Sequence, residues 1–377
     1  MQIAVLAYNL IGAGALSVGK NIIDQLPKIA PDWELLMLVP KGRMYNLHEN
    51  LSNVSVLEIP RTGLFKRLIF EKITLPKIIK SYHPDVVLCL GNIGLQHPPC
   101  KQAILIHQSQ IVYSSDHYGP IPLMDCVKMW LIKRWVKKSL RHTDLIFCQT
   151  PVVRDRFSKV FSYPTEHIKI MPNAVSEFAK TEYSPENIPD VFKNNNNFKL
   201  FFLTRYYPHK NLEVLIDMFR NHQDKLRDVQ CIITISPDCA NAQRFLSQIQ
   251  KYNLQKYIVN VGPLKQEELA AYFHNSDALL FPTLLESFSG TYLEAMHFGL
   301  PILTGDLDFA RYICGDAALY FNPWEPADIA EKILLLKNRP EVRSQLIERG
   351  KLRISTFFKS WDEIVSNVIV EMEKLKS

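Results

Sequence analysis

An α/β fold of two Rossmann-like domains is the architecture this sequence predicts, and three observations predict it. Short apolar runs without polar alternation recur along the chain with helical stretches between them, the pattern of parallel strands buried on both faces. At 377 residues the chain is long for a single core, so two domains of ordinary size are expected. Between the two sets of strands the residues 178–197 turn polar and end in Asn194–Asn197, which reads as a linker. The expected division is therefore a first domain over 1–177, the linker over 178–197, a second domain over 198–360 and a last amphipathic segment over 361–377.

Composition bounds what such a chain does. Apolar residues make up 47% and charged residues 22%, which is globular and excludes wholesale disorder. No apolar run approaches the roughly 20 residues of a membrane span, and the start Met1-Gln2-Ile3 reads as a strand rather than a signal peptide, so a cytoplasmic protein is expected. The seven cysteines show no CxxC pair. Free thiols in a reducing compartment are expected rather than disulfides or zinc, and no metal site is assigned. The net charge of +6 is uneven: residues 1–175 carry 21 Lys and Arg against 12 Asp and Glu, the remainder 23 against 26. Two halves of different charge suggest different partners. Nucleic acid is not favoured as one of them, because no recognised binding motif or aromatic stacking pattern accompanies the charge.

In the first domain, residues 2–7 form the opening strand, followed by Gly12-Ala13-Gly14 and a helical stretch to about Leu26. Strand, glycine turn and helix can bring backbone N–H groups up to a phosphate, although a plain turn fits as well. Further strands are expected at Glu34–Val39, Val54–Ile59, Val86–Leu90, Ala103–Ile106 and Leu145–Gln149. In a doubly wound sheet the ligand sits at the carboxyl ends of such strands. His107 falls at one of them, where a neutral imidazole can hydrogen-bond a sugar hydroxyl; a purely structural histidine is the alternative.

Residues 126–141 carry the strongest basic stretch. On a helical wheel Met129, Ile132, Val136 and Leu140 share one face, and Lys133, Arg134, Lys137, Lys138 and Arg141 share another arc with Trp130 among them. A tryptophan within a basic arc suits an anionic membrane surface, and a core-packed helix with a solvated basic face suits the pattern equally. Arg61–Lys80, with Lys66, Arg67, Lys72, Lys77 and Lys80 among apolar residues, can extend the same surface.

The second domain opens with strand Lys199–Leu203 and the run Thr204-Arg205-Tyr206-Tyr207-Pro208-His209-Lys210-Asn211. Two cations beside a strand-end loop can neutralise a diphosphate, Arg205 through its planar fork and Lys210 as a point charge; surface residues are the alternative. Strands at Gln230–Ile235 and Ile258–Val261 follow, the latter leading into Gly262-Pro263-Leu264. Strand Ala278–Phe281 then closes at Pro282. Ser287, Ser289, Gly290 and Thr291 are helix-starting residues, a helix is expected from about Tyr292 to Phe298, and Gly299 and Pro301 end it before a strand from Ile302. A helix start collects free N–H groups and partial positive charge, which suits a phosphate. Glu286 and Glu294, eight positions apart, can accept from hydroxyls on either side of that start. Thr291-x-x-Glu294 also fits a capping box, in which the glutamate serves only its own helix.

Glu286-x7-Glu294, with Ala295-Met296 and Gly299-Leu300-Pro301 after it, resembles the signature of retaining GT-B glycosyltransferases of family 4. That family reads Glu-Gly-Phe-Gly, four residues, then Glu-Ala. Phe288, Glu294, Ala295 and Gly299 match, and Ser287 and Ser289 stand for the two glycines. Met171-Pro172-Asn173-Ala174-Val175 is similar to the family's Pro-Asn-Gly-Val hinge, with Ala174 for the glycine. Arg205 and Lys210 fit its strand-end Gly-Arg and following Lys, with Thr204 for the glycine. Gly14 fits the second of its N-terminal glycines, and His107 fits its strand-end histidine, with Gln108 where Asp is common.

The resemblance implies a GT-B fold, two Rossmann-like domains facing across a cleft, with the final helix crossing back to the first. It implies a nucleoside-diphosphate sugar as donor, held mainly by the second domain, and a saccharide or lipid-linked acceptor on the first. Arg205, Lys210 and the N–H groups of Ser289, Gly290 and Thr291 would take the diphosphate charge in place of a metal, and no cofactor is expected. His107 and Glu286 would position the sugar, Glu294 would accept from the ribose, Phe288 completes the donor loop, and Pro263 and Leu264 would lie against the base. A hexosyltransferase of surface polysaccharide or O-antigen synthesis, cytoplasmic or peripheral on the inner membrane face, is the expected function. A sugar-nucleotide epimerase or hydrolase, a catalytically silent nucleotide-sugar-binding subunit and a peripheral membrane scaffold are the alternatives.

Overall fold

The computed structural model describes residues 1–10, 12–42, 51–117, 119, 123–180, 188–193 and 196–376. The chain divides into two compact units, one of Met1–Tyr113, Pro122–Ala174 and Lys359–Ser377, the other of Ser114–Ile121 and Val175–Phe358.

The first unit holds a seven-stranded, wholly parallel sheet. Its strands are β1 (Gln2–Leu6), β2 (Glu34–Pro40), β3 (Val54–Ile59), β4 (Val86–Cys89), β5 (Lys101–Ile106), β6 (Leu145–Cys148) and β7 (Ile168–Ile170). Their spatial order is β3-β2-β1-β4-β5-β6-β7, so the winding reverses between β1 and β4. The central strands are buried along their length, which is why their sequences lack alternation. Against one face pack Val18, Ile22, Ile23 and Leu26 of the helix Ala13–Ile29, together with Trp361, Ile364, Val365, Val368 and Met372 of the last helix, Trp361–Lys376. The first of these helices runs about a turn beyond the expected end, through Pro27 to Ile29.

The second unit holds a six-stranded parallel sheet of β8 (Phe198–Phe202), β9 (Val229–Ile233), β10 (Ile258–Asn260), β11 (Ala278–Phe281), β12 (Ile302–Gly305) and β13 (Ala318–Phe321). The order β10-β9-β8-β11-β12-β13 reverses between β8 and β11. Phe201, Phe202, Phe281, Leu280 and Leu303 fill the middle of its core and are fully or almost fully buried.

The expected linker is corrected over its first residues. Phe178 and Ala179 are buried in the second unit's core, Phe178 stacking on Phe273 and Phe298 at 6.3 Å each. Polar composition set that expectation, and two apolar side chains with a core to enter override it. Residues 181–187 and 194–195 of the same segment lie outside the described residues. The short strands β7 and β13 are not among those the sequence predicts.

Candidate active site

In the second unit the crevice between β8 and β11 is the topological switch point, and the loops leaving these two strands carry the expected cations and carboxylates. Left-handed Asn211 (φ 56°) ends the short turn Pro208–Lys210 after β8. Its amide donates to the carbonyls of Pro323 (2.7 Å) and Pro282 (3.3 Å). The His209 carbonyl accepts from the Leu284 amide at 2.8 Å and from the Thr283 hydroxyl at 3.1 Å. These bonds lock the two loops into one wall.

Lys210 and Glu286 meet on that wall. The ammonium donates to Glu286 Oε1, and it lies 5.2 Å from the centroid of the Phe281 ring. The Thr283 hydroxyl also lies 3.3 Å from the same carboxylate oxygen, an alternative acceptor for its one hydrogen. Both side chains are only 15% exposed, so each charge depends on the other for neutralisation. Arg205 is exposed, and no ion-pair partner for it exists among the described residues. His209 stacks on Tyr207 (5.5 Å, 13°), and burial, with Lys210 adding to it, pulls its pKa down to about 3. It contributes no positive charge at neutral pH.

The loop after β11 leads into the helix Gly290–His297, which starts two residues earlier than expected. Gly299 ends it in the left-handed region (φ 67°), with Leu300 N–H on the Ala295 carbonyl at 2.7 Å. Ser289 is the N-cap residue, yet its side chain makes no capping bond. Glu294 does not cap either. Its Oε1 accepts from the Ser176 hydroxyl at 2.6 Å and lies 3.7 Å from where a β-carbon on Gly290 would stand. Burial raises the Glu294 pKa to about 7, with the Ser176 bond opposing the rise. The capping-box alternative is thereby set aside. The Phe288 ring is core packing, edge-on to Phe358 at 6.0 Å, rather than a surface for a ligand. Thr291 is half-buried. At the sheet edge β10 leads into Gly262 (φ 76°), Pro263 and Leu264, and Asn260 pins this turn by accepting from Gly262 N–H at 3.2 Å. Pro263 is exposed and Leu264 half-buried.

In the first unit His107 follows β5, as expected. Its amide donates to Asn92 Oδ1 at 2.8 Å, and its Nε2 lies 3.2 Å from Asn92 Nδ2 and 3.0 Å from the Leu90 carbonyl. Burial lowers its pKa to about 4, so the ring is neutral at physiological pH. Gly14 lies in the first turn of its helix, with open space where a β-carbon would stand.

On the helix Leu123–Ser139 the buried stripe is the expected one, Val136 and the following Leu140 being buried and Met129 and Ile132 half-buried. Lys133 is corrected. It is half-buried with its ammonium 3.5 Å from the Tyr113 carbonyl, and burial lowers its pKa, so it does not belong to the exposed arc. Trp130 is 60% exposed with the Arg134 guanidinium 5.6 Å from its ring, and Lys137, Lys138 and Arg141 are exposed. The wheel did not disclose a second apolar row: Leu123, Met124, Val127 and Leu131 are exposed beside Trp130. Ser176, Asn92 and Thr283 were missed as well, because their partners are set by tertiary structure.

Residues 184–353 match the family described as "Glycosyl transferases group 1". Over 262 residues the chain is 21% identical to the alpha-monoglucosyldiacylglycerol synthase of Streptococcus pneumoniae, covering 65% of this chain and 58% of that one. Over 245 residues it is 20% identical to the O-antigen chain mannosyltransferase RfbU of Salmonella typhimurium, covering 65% and 63%. The matches thus span less than two thirds of either relative. The crystal structure of Anabaena HepE in complex with UDP-glucose superposes with a TM-score of 0.75 at 15% identity, covering 98% of this chain and 100% of that one. Both units therefore have the GT-B architecture.

Proposed function

We propose that this chain, whose residues 184–353 match the glycosyl transferases group 1 and whose units have the GT-B fold, moves a hexose or similar sugar from a nucleoside diphosphate to a saccharide or lipid-linked acceptor. The observation that carries the reading is the wall at the second switch point, where Lys210 is held on Glu286 by loops that also carry the exposed Arg205 and lead into the helix Gly290–His297. Breaking an anomeric bond builds negative charge on the departing diphosphate, and fixed cations with helix-start N–H groups are suited to receive it.

In this reading Arg205 and the N–H groups of residues 289–291 hold the diphosphate, and Lys210 shares its proton donors between Glu286 and the leaving oxygen. No metal is required for that charge. Glu286 accepts from a sugar hydroxyl, and Glu294, once ionised, accepts from the ribose. Pro263 and Leu264 flank the base through backbone atoms. The acceptor oxygen bonds to the anomeric carbon on the face the diphosphate leaves, and its proton passes to a phosphate oxygen, so configuration is retained without an enzyme nucleophile. UDP is the first nucleotide to test, since HepE was crystallised with UDP-glucose. The names of the two relatives support a glycolipid or surface-polysaccharide product. The exposed apolar row beside Arg134, Lys137 and Lys138 supports work at the inner face of an anionic membrane. No helix among the described residues is long and apolar enough to cross one.

The test is thermal stability against UDP, GDP, ADP and TDP and their sugars, with and without EDTA. A nucleotide at 100 times its dissociation constant adds about 2.7 kcal/mol. Stabilisation by one nucleotide in EDTA that is lost in Arg205→Ala supports the donor site; stabilisation that survives the substitution refutes the phosphate assignment. Nucleotide release that needs no acceptor would indicate a hydrolase instead.

A further inference from the structure

The carboxyl ends of β1, β2 and β3 in the first unit enclose a cavity of about 290 Å³ that the donor chemistry does not use. Its wall carries four cations from three separate stretches of chain: Lys41 after β2, Arg61 after β3, and Lys66 and Arg67 on the helix Leu64–Ile69. Arg67 is neutralised, its Nε donating to Glu71 at 2.8 Å, and the same carboxylate accepts from Tyr8 Oη at 3.2 Å. Lys41, Arg61 and Lys66 have no carboxylate partner among the described residues. The wall also includes Asn9. Its Nδ2 donates to the Gly91 carbonyl at 3.3 Å, and its Oδ1 is buried without a hydrogen-bond partner.

Lysines and arginines on a convex surface are solvated and spread out. Here three uncompensated cations face one concavity with a partly apolar wall, which concentrates positive potential at its mouth. A guanidinium fork beside two ammonium groups matches the oxygens of a phosphate, and a lone amide acceptor matches a neighbouring hydroxyl. The volume suits a phosphate with part of a sugar or glycerol attached.

We propose that this cavity binds a phosphate group carried by the acceptor, held by Arg61, Lys66 and Lys41, with Asn9 accepting from an adjacent hydroxyl. The proposal rests on the glycosyltransferase reading and adds the acceptor's chemical class: a phosphate ester rather than a neutral sugar.

The test uses the full chain with its second-unit anion site saturated by the stabilising nucleoside diphosphate. Glucose 1-phosphate, glucose, and phosphatidylcholine vesicles with and without phosphatidate are the probes. Glucose 1-phosphate or the phosphatidate vesicles are expected to bind, and glucose is not. Arg61→Gln with Lys66→Gln should weaken that binding about tenfold or more, with Arg61→Lys recovering part of it and nucleotide binding unchanged. Both side chains are exposed, so the variants keep their fold. Loss of glucose 1-phosphate binding in the double variant places the phosphate on a soluble sugar, and loss of phosphatidate binding places it on a lipid. Equal binding of glucose and glucose 1-phosphate, or a double variant that binds both phosphate probes as the wild type does, overturns the proposal. Failure of every nucleotide to stabilise the chain would instead overturn the donor reading, a separate result.

Discussion

The hydroxyl of Ser176 donates to Glu294 Oε1 across 2.6 Å, a bond between residues 118 positions apart. The bond opposes, without overcoming, the burial that raises the pKa of this carboxyl from 4.5 to about 7. Between those values the folded chain holds a proton that the unfolded chain has lost, so this group stabilises the fold below about pH 4.5 and loses its contribution as pH rises to about 7. A shift of this size corresponds to roughly 3 kcal/mol. Urea unfolding of the wild type and Glu294→Gln at about pH 5 and about pH 8 isolates the group: the wild type should lose about 2–3 kcal/mol relative to the variant over that interval. A constant difference would mean that Glu294 is ionised in the folded chain at both values.

Lys210 and Glu286 are each left with a poorly solvated charge when the other is removed. Lys210→Ala and Glu286→Ala should each cost about 1–3 kcal/mol, and the double variant less than the sum, with a coupling of about 1 kcal/mol or more. Nucleotide affinity separates the two roles. It should fall with Lys210→Ala and persist in Glu286→Gln, while sugar transfer falls in both. Strictly additive stabilities would show that the pair does not form in solution.

The sequence made this site legible where chemistry is local and opaque where it is tertiary. Arg205, Lys210, Glu286 and Glu294 stand at fixed offsets from strand ends, and parallel strands buried on both faces announce themselves by unbroken apolar runs. Ser176 gave no such signal, because a hydroxyl whose partner is 118 positions away looks like any loop serine. Asn92 was hidden for the same reason. Lys133 was misplaced because a helical wheel gives angles and no neighbours; the Tyr113 carbonyl that draws it inward comes from another segment. Phe178 was hidden by the polar residues around it.

Asn92 holds the strand-end histidine through bonds to two backbone amides, His107 at 2.8 Å and Gln108 at 2.9 Å. It does so from the left-handed region (φ 67°), where alanine is strained. Asn92→Ala should cost about 2 kcal/mol or more and release the ring. In the wild type the His107 pKa is lowered to about 4, so its contribution to stability is present above about pH 6.5 and is lost as pH falls towards 4. The imidazole resonances of His107 should stay those of a neutral ring down to about pH 5, and in Asn92→Ala they should titrate nearer to 6.5. Titration near 6.5 in the wild type would contradict the enclosure of the ring.

The helix Leu123–Ser139 makes a sharper demand on the membrane reading than its charge alone would. Leu123 and Met124 are each 78% exposed, and Val127, Trp130 and Leu131 continue the row, so the apolar groups are already outside and need no rearrangement to enter a bilayer interface. Anionic vesicles should float the protein and neutral vesicles should do so weakly, with the difference shrinking as salt is added. Arg134→Ala should lower partition about fivefold, near the roughly 1 kcal/mol expected for one interfacial cation. Trp130→Ser should lower it by about tenfold or more. Lys133→Ala supplies the internal control: its ammonium points to the Tyr113 carbonyl, so partition should stay near that of the wild type. If Lys133→Ala and Arg134→Ala weakened binding equally while Trp130→Ser had no effect, the attraction would be diffuse charge, and the exposed apolar row would have to serve another partner.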